Sequence, residues 1–253
     1  MSTPAEVAAQ PAPVPQPLPA QLAAAVGLLS VAGTAALLDG VQEHDDLTSL
    51  DSPTLTWLVA HRQPMLTTVM TDVSTAGGAL VVAALVAVAV LVLLWRHRVR
   101  EASLLAGAVV LAEAVSLLLK HLVARPRPPE DVMLGPVEHT LSFPSGHTIV
   151  TGALVLTAVY LWWRARPGIG RAVGGAALAL GVTALMAASR LYLGDHWLTD
   201  VLASAVLAWG VLAAIVLVDA LVWDRLWDAV GGRLPRRRRP PPSADAAGSP
   251  ALP

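Results

Sequence analysis

The chain has 253 residues, of which 55% are hydrophobic and 14% charged, where ordinary soluble domains carry about 25% charged residues. Its 17 basic and 18 acidic residues leave a formal net charge of −1, and they gather in short stretches between long neutral ones. This excludes an ordinary soluble domain, a coiled coil, a collagen and a wholly disordered chain, while the lack of cysteine excludes disulfides, thiol nucleophiles and zinc–thiolate sites.

In chain order, residues 1–19 contain six prolines and no Lys or Arg, which predicts an unstructured tail and argues against a cleaved signal peptide. Six later segments, 20–38, 78–95, 102–119, 148–163, 170–188 and 198–222, approach the length and apolarity needed to cross a hydrocarbon core, which takes about 20 helical residues. The expected fold is all-α, a polytopic membrane bundle of six transmembrane helices. Between the first two, Leu55, Leu58, Val59, Leu66, Val69, Met70 and Val73 recur at helical spacing among polar residues. They predict an interfacial amphipathic helix over 52–76, broken at Pro64. Residues 20–232 make up the expected membrane domain. Residues 233–253, with four consecutive arginines and then Pro, Ser, Ala and Gly, read as a disordered basic tail.

Twelve basic residues fall in connections on one side of these spans and five on the other. The richer side is expected to be cytoplasmic, with both termini inside and the acidic stretch 39–72 outside. The five are Arg62, Lys120, Arg125, Arg127 and Arg190, and the last four crowd the outer edge against the general bias.

Three stretches meet at that edge. Lys120 to Pro128 closes the third span, and Phe143-Pro144-Ser145-Gly146-His147 opens the fourth. A helix start aims unpaired N–H groups outward, which makes it a ready anion site. Ser189 to Asp200 joins the fifth span to the sixth. With a helix beginning near His196, that histidine and Asp200 stand at i and i+4 and their side chains meet. A carboxylate on one ring nitrogen fixes the tautomer and leaves the other nitrogen free to attack or to accept a proton. Two histidines, an aspartate and several cations around a glycine turn suit a phosphate monoester or diphosphate, with the cations neutralising non-bridging oxygens. Arg125 reads as a solvated loop charge, His121, His139 and Asp195 as surface-loop residues, and Glu113 as a partner for Lys120 or another polar group within the bundle.

Lys120-x6-Arg127-Pro128, Pro144-Ser145-Gly146-His147 and Ser189-Arg190-x5-His196-x3-Asp200 together resemble the three signature motifs of the type-2 phosphatidic acid phosphatase superfamily. The resemblance implies a membrane lipid phosphatase in which His196 attacks phosphorus to form a phosphohistidine, Asp200 orients it, and His147 protonates the leaving group and then activates water. It further implies that Lys120, Arg127, Ser145, Gly146 and Arg190 hold the phosphate oxygens, and that no metal or other cofactor is required. The implied partners are a lipid phosphate and the surrounding membrane lipids, with no nucleic acid and no obligate protein partner. The competing readings are a phosphotransferase of the same superfamily, a non-enzymatic lipid transporter, and a metal-dependent hydrolase using His196 and Asp200 as ligands. The motifs leave open which lipid is bound, and whether it is a mono- or diphosphate.

Overall fold

The computed structural model of the protein describes residues 20–43 and 46–223, so both expected tails lie outside the described residues. Within them the chain forms eight α-helices and no strand: α1 (Ala20–Glu43), α2 (Asp51–Ala60), α3 (Pro64–Ala76), α4 (Ala79–Trp95), α5 (Val99–Val123), α6 (Gly146–Ala165), α7 (Ile169–Tyr192) and α8 (Leu198–Val218). Short 3-10 turns at Asp46–Leu50 and Glu130–Val132 and a π-helical turn at Asp219–Trp223 complete the elements.

Five helices, α1, α5, α6, α7 and α8 with its π-helical extension, are long and apolar enough to cross a membrane. The 17 residues of α4 fall short alone, since they rise only about 25 Å at 1.5 Å each. With α3, across a 50° bend at Gly77 and Gly78, they pass the same test as a pair, either a broken span or a re-entrant loop, so the described residues hold five spans, or six if the pair counts as one. The protein is thus a multi-pass membrane protein. The expected amphipathic segment is two helices, divided where Pro64 sits at the start of α3. There its fixed φ suits the first helical turn and its missing N–H costs nothing.

Helices α6 and α8 form the centre. Ile149, Ala153, Leu156, Ala208, Val211 and Val216 are buried between them and their neighbours, while Leu80, Leu85, Val88 and Leu91 of α4 face outward. Small residues permit the close approach that membrane helices use in place of a hydrophobic driving force. A methyl on Gly152 would come within 2.8 Å of the Ala208 side chain, and one on Gly210 within 2.5 Å of Ser30 Oγ. Ser30, buried on α1, donates to the Val206 carbonyl of α8 at 2.8 Å.

Each end of the bundle has a polar lock. At the first, the π-helical turn carries a fully buried Asp219, which accepts from Arg100 Nε at 2.6 Å and Tyr160 Oη at 2.6 Å and pairs with Arg164 Nε at 3.1 Å. Arg100 opens α5 and Lys120 closes it, about 30 Å along the axis. At that far end lie the C-termini of α5 and α7 and the N-termini of α6 and α8, which carry the three motif stretches.

Candidate active site

Each helix end presents its residues through local chemistry. Helix α5 stops after Lys120 and His121 at Ala124, whose φ of 50° is left-handed and whose N–H closes on the Lys120 carbonyl at 2.9 Å. The turn throws Arg125 to Pro128 across the end of the bundle, and the crossing loop returns through Ser142, whose N–H bonds the Arg125 carbonyl at 2.9 Å. Ser145 then caps α6, leaving Gly146 and His147 in a first turn whose N–H groups have no partner within the helix. After α7, Gly194 takes a φ of 83° and passes so close to the Val132 carbonyl that a methyl there would lie 2.5 Å from it. Only glycine fits that turn.

Helix α8 begins at Leu198 with Trp197 as its cap, two residues later than the i, i+4 argument required. His196 therefore precedes the helix. The two side chains meet for a different reason: Asp200, at the third helical position, turns back to accept the Trp197 N–H at 3.0 Å, a capping arrangement that aims its carboxylate at the preceding residue. Its Oδ2 stands 3.5 Å from His196 Nδ1 and also accepts from Ser142 Oγ. Both His196 and Asp200 are buried.

The opposite ring nitrogen decides the tautomer. Arg127 Nη1 lies 3.2 Å from His196 Nε2, and a guanidinium can only donate. Nε2 is thus the acceptor, its lone pair directed at the cationic group, and the proton sits on Nδ1, facing Asp200 and Ser142 Oγ at 3.4 Å. Burial drives the imidazole's pKa down to about 3, against the pull of Asp200, so the ring stays neutral and nucleophilic at working pH.

Arg127 and Arg190 share an anion. Glu138, from the crossing loop, accepts from Arg127 Nη2 and from Arg190 Nη2, each at 2.9 Å. Burial raises the pKa of this carboxyl, but the two arginines outweigh that and hold it below its ordinary value. Arg190 is buried, pairs with Asp195 at 3.0 Å and with Ser74 of α3, and keeps a buried Nε with no protein partner. Lys120 Nζ donates to the Leu141 carbonyl, and its charge reaches His147 together with those of Arg190, Glu138 and Arg127. Beside Glu138, Arg190 and Asp195 opens a cavity of about 410 Å³, bounded by Thr67, Thr71 and Ser74 of α3.

The expected residues thus fall into one neighbourhood, but with different environments. His147 is half-buried and lies within electrostatic reach of the same charges as His196. Ser145 faces inward: its N–H bonds Ser204 Oγ at 2.8 Å and its hydroxyl accepts from Thr148 at 3.1 Å. Gly146 has nothing nearer its would-be methyl than Ser116 Oγ at 3.7 Å. His121 and His139 are exposed, as surface-loop residues should be.

Three expectations need correction. Glu113 makes no direct ion pair with Lys120, whose ammonium donates to the Leu141 carbonyl, and feels that charge only at a distance. Asp195 is a buried partner of Arg190, with a pKa raised by burial, and its carbonyl accepts from Arg127 at 2.7 Å. Arg125 is no solvated charge: it bridges Asp200 and Asp51, at 2.6 Å to each. Asp51, Glu138 and Ser142 are additions to the site that no motif marked. Arg125 alone carried a signal, as one of the basic residues placed against the charge bias.

Residues 101–223 match the model of the PAP2 superfamily. Over 76 residues, 30% of this chain, the sequence is 37% identical to phosphatidylglycerophosphatase B of Escherichia coli K12. It matches the Shigella flexneri protein of that name equally. The match spans only 28% of the length of these curated relatives. The fold resembles that of the transmembrane PAP2 type phosphatidylglycerolphosphate phosphatase from Bacillus subtilis, with a TM-score of 0.66 and 22% identity, covering 84% of this chain and 98% of that one. It also resembles Aquifex aeolicus LpxE, with a TM-score of 0.52 and 24% identity, covering 66% of this chain and 94% of that one. All three motifs lie within residues 101–223, the segment that matches the PAP2 superfamily model.

Proposed function

We propose that the protein is an integral membrane phosphatase that hydrolyses a lipid phosphate or diphosphate at the extracytoplasmic face through a phosphohistidine. The observation that carries this reading is the fixed tautomer of His196, whose free Nε2 faces Arg127 within a ring of cations. A phosphoryl group there would replace the Glu138 carboxylate between Arg127 and Arg190, with Lys120 and the N–H groups that open α6 on its remaining oxygens.

The Nε2 lone pair attacks phosphorus, and the bond to the lipid oxygen breaks with its electron pair leaving on that oxygen. His147, which takes up a proton as the anionic phosphate binds beside it, gives that proton to the leaving oxygen. Asp200 holds Nδ1–H and stabilises the positive charge that the ring gains on phosphorylation. Water then attacks the phosphohistidine, His147 takes its proton, and inorganic phosphate departs as Nε2 is released. The names of the relatives favour phosphatidylglycerol phosphate, and the same chemistry serves phosphatidic acid or a polyprenyl diphosphate.

The test is release of inorganic phosphate from these three lipids by purified protein in detergent micelles, with chelator present. Wild-type turnover is expected, with loss of at least about 1,000-fold in His196→Ala, as for other essential nucleophiles. Full activity in that variant would overturn the assigned nucleophile. A wild-type protein that releases phosphate from none of the lipids would overturn the function.

A further inference from the structure

Four charged or polar side chains from separate parts of the chain converge behind His196. Asp51, the first residue of α2, is 3% exposed; its Oδ1 accepts the Thr199 N–H at 2.9 Å and its Oδ2 the Thr199 hydroxyl at 2.8 Å. Arg125 spans the gap, with Nη2 on Asp51 Oδ2 and Nη1 on both Thr199 Oγ1 and Asp200 Oδ1. The Trp197 ring covers its guanidinium at 5.6 Å, and the indole N–H is anchored on the Pro126 carbonyl at 3.0 Å. The order in space is Asp51, Arg125, Asp200, His196.

We propose that Arg125, clamped by Asp51, is a positioning residue that fixes the Asp200 carboxylate on His196 and divides its charge between two acceptors. This rests on the phosphatase reading of the same site. The argument is geometric. Asp200 has two oxygens, and Arg125 takes Oδ1, which leaves Oδ2 for Trp197 N–H, Ser142 and the imidazole. Without Arg125 the carboxylate is held through Oδ2 alone and can pivot about its last bond.

The charge balance follows from the count of partners. An arginine paired with Asp200 alone would neutralise the carboxylate that the phosphorylated ring needs. Asp51 draws off part of that attraction, so Asp200 stays oriented by Arg125 while keeping charge for the imidazole. The other charged groups acting on this pair are Arg127 after α5, Glu138 in the crossing loop, Lys120 on α5 and Arg190 at the end of α7, while His147 on α6 and Asp195 act on Glu138 and Arg190 beside them. Of these, Arg127 touches the outer ring nitrogen, whereas Arg125 acts on the inner one through Asp200.

The test uses the full chain in detergent micelles, with dioctanoyl phosphatidic acid as kinetic probe and 15N-labelled histidine read by NMR. Arg125→Met should lower kcat about tenfold or more while KM stays within about twofold. The His196 signal should change from one Nδ1–H tautomer to a mixture, and its protonation should move up by about one pH unit, the size expected when a cation beside a coupled carboxylate is lost. Arg125→Lys, which keeps the charge and loses the fork, should restore the protonation and only part of kcat. Asp51→Asn should lower kcat without raising the imidazole's protonation.

A merely structural strut behaves otherwise, with less folded protein but a wild-type kcat and histidine spectrum in the folded fraction; that result overturns the proposal. Should Arg125→Met fail to fold, wild-type kcat and spectrum in both Arg125→Lys and Asp51→Asn overturn it equally. If the wild type releases no phosphate from the probe or from the other lipids, the phosphatase reading fails separately, and the histidine spectra still decide whether Arg125 positions the ring.

Discussion

Gly146 is a residue whose identity the protein's own packing does not require. Its φ is not left-handed, and a methyl would make only an ordinary contact of 3.7 Å with Ser116 Oγ. The neighbouring first-turn N–H groups, by contrast, gain from a bare backbone if an anion must approach them. Gly146→Ala is therefore expected to fold with a melting temperature within a few degrees of wild type while losing at least about tenfold in kcat/KM for lipid phosphate. Circular dichroism and phosphate release on the same preparation check both halves, and undiminished turnover would remove Gly146 from the phosphate cradle. Motif spacing placed this residue, the two histidines and the arginines at one end of the bundle, because helix ends fix where residues close in sequence go. It could not reveal Asp51, 74 residues from its partner Arg125, because a contact across the bundle leaves no periodicity in either segment. Nor did it show that Ser145 faces inward, which depends on Ser204 of α8 arriving to take its N–H.

Among the elements, the helix bodies were readable and their ends less so. Long apolar runs located the membrane-spanning helices within a few residues, but α5 extends from Val99 to Val123 and α7 to Tyr192, past the apolar runs and into polar residues that the site orders. Charged helix ends are held by tertiary partners, which hydropathy does not weigh. The junction at Asp219 shows this at the other end of the bundle, where one buried carboxylate joins α5 through Arg100, α6 through Tyr160 and Arg164, and α8 through its own backbone. Removing one member of a buried ionic group leaves the others uncompensated, at a cost of about 3–5 kcal/mol. Asp219→Ala should accordingly lower the thermal unfolding midpoint in detergent by several degrees or more. The protein that remains folded should keep its wild-type kcat, since the junction lies about 30 Å from the site along α5. A stable Asp219→Ala variant would show that apolar packing alone holds these three helices together.

At the scale of the whole molecule, the bundle has two polar ends, and the proposed placement of the motif end outside rests on charge. The connections between α4 and α5 and between α6 and α7 carry Arg96, Arg98, Arg100, Arg164, Arg166 and Arg171. The opposite end carries Arg62, Lys120, Arg125, Arg127 and Arg190, of which Arg125, Arg127 and Arg190 are in ion pairs, as are Arg98, Arg100 and Arg164 at the first end. The bias therefore rests on the count of basic residues, which the sequence after α8 raises with Arg225, Arg233 and Arg236 to Arg239. The motif end is thus expected outside. Because the chain has no cysteine, single cysteines report topology without background. Gly135→Cys, in the crossing loop, and Gly168→Cys, between α6 and α7, both sit where a side chain meets nothing within 4 Å, the first at a φ of 108° that costs a cysteine about 1–3 kcal/mol. In intact cells a membrane-impermeant maleimide should label position 135 and leave position 168 unlabelled until the membrane is permeabilised. The reverse pattern would put the histidines in the cytoplasm, and a lipid phosphate would then have to be presented from the inner leaflet.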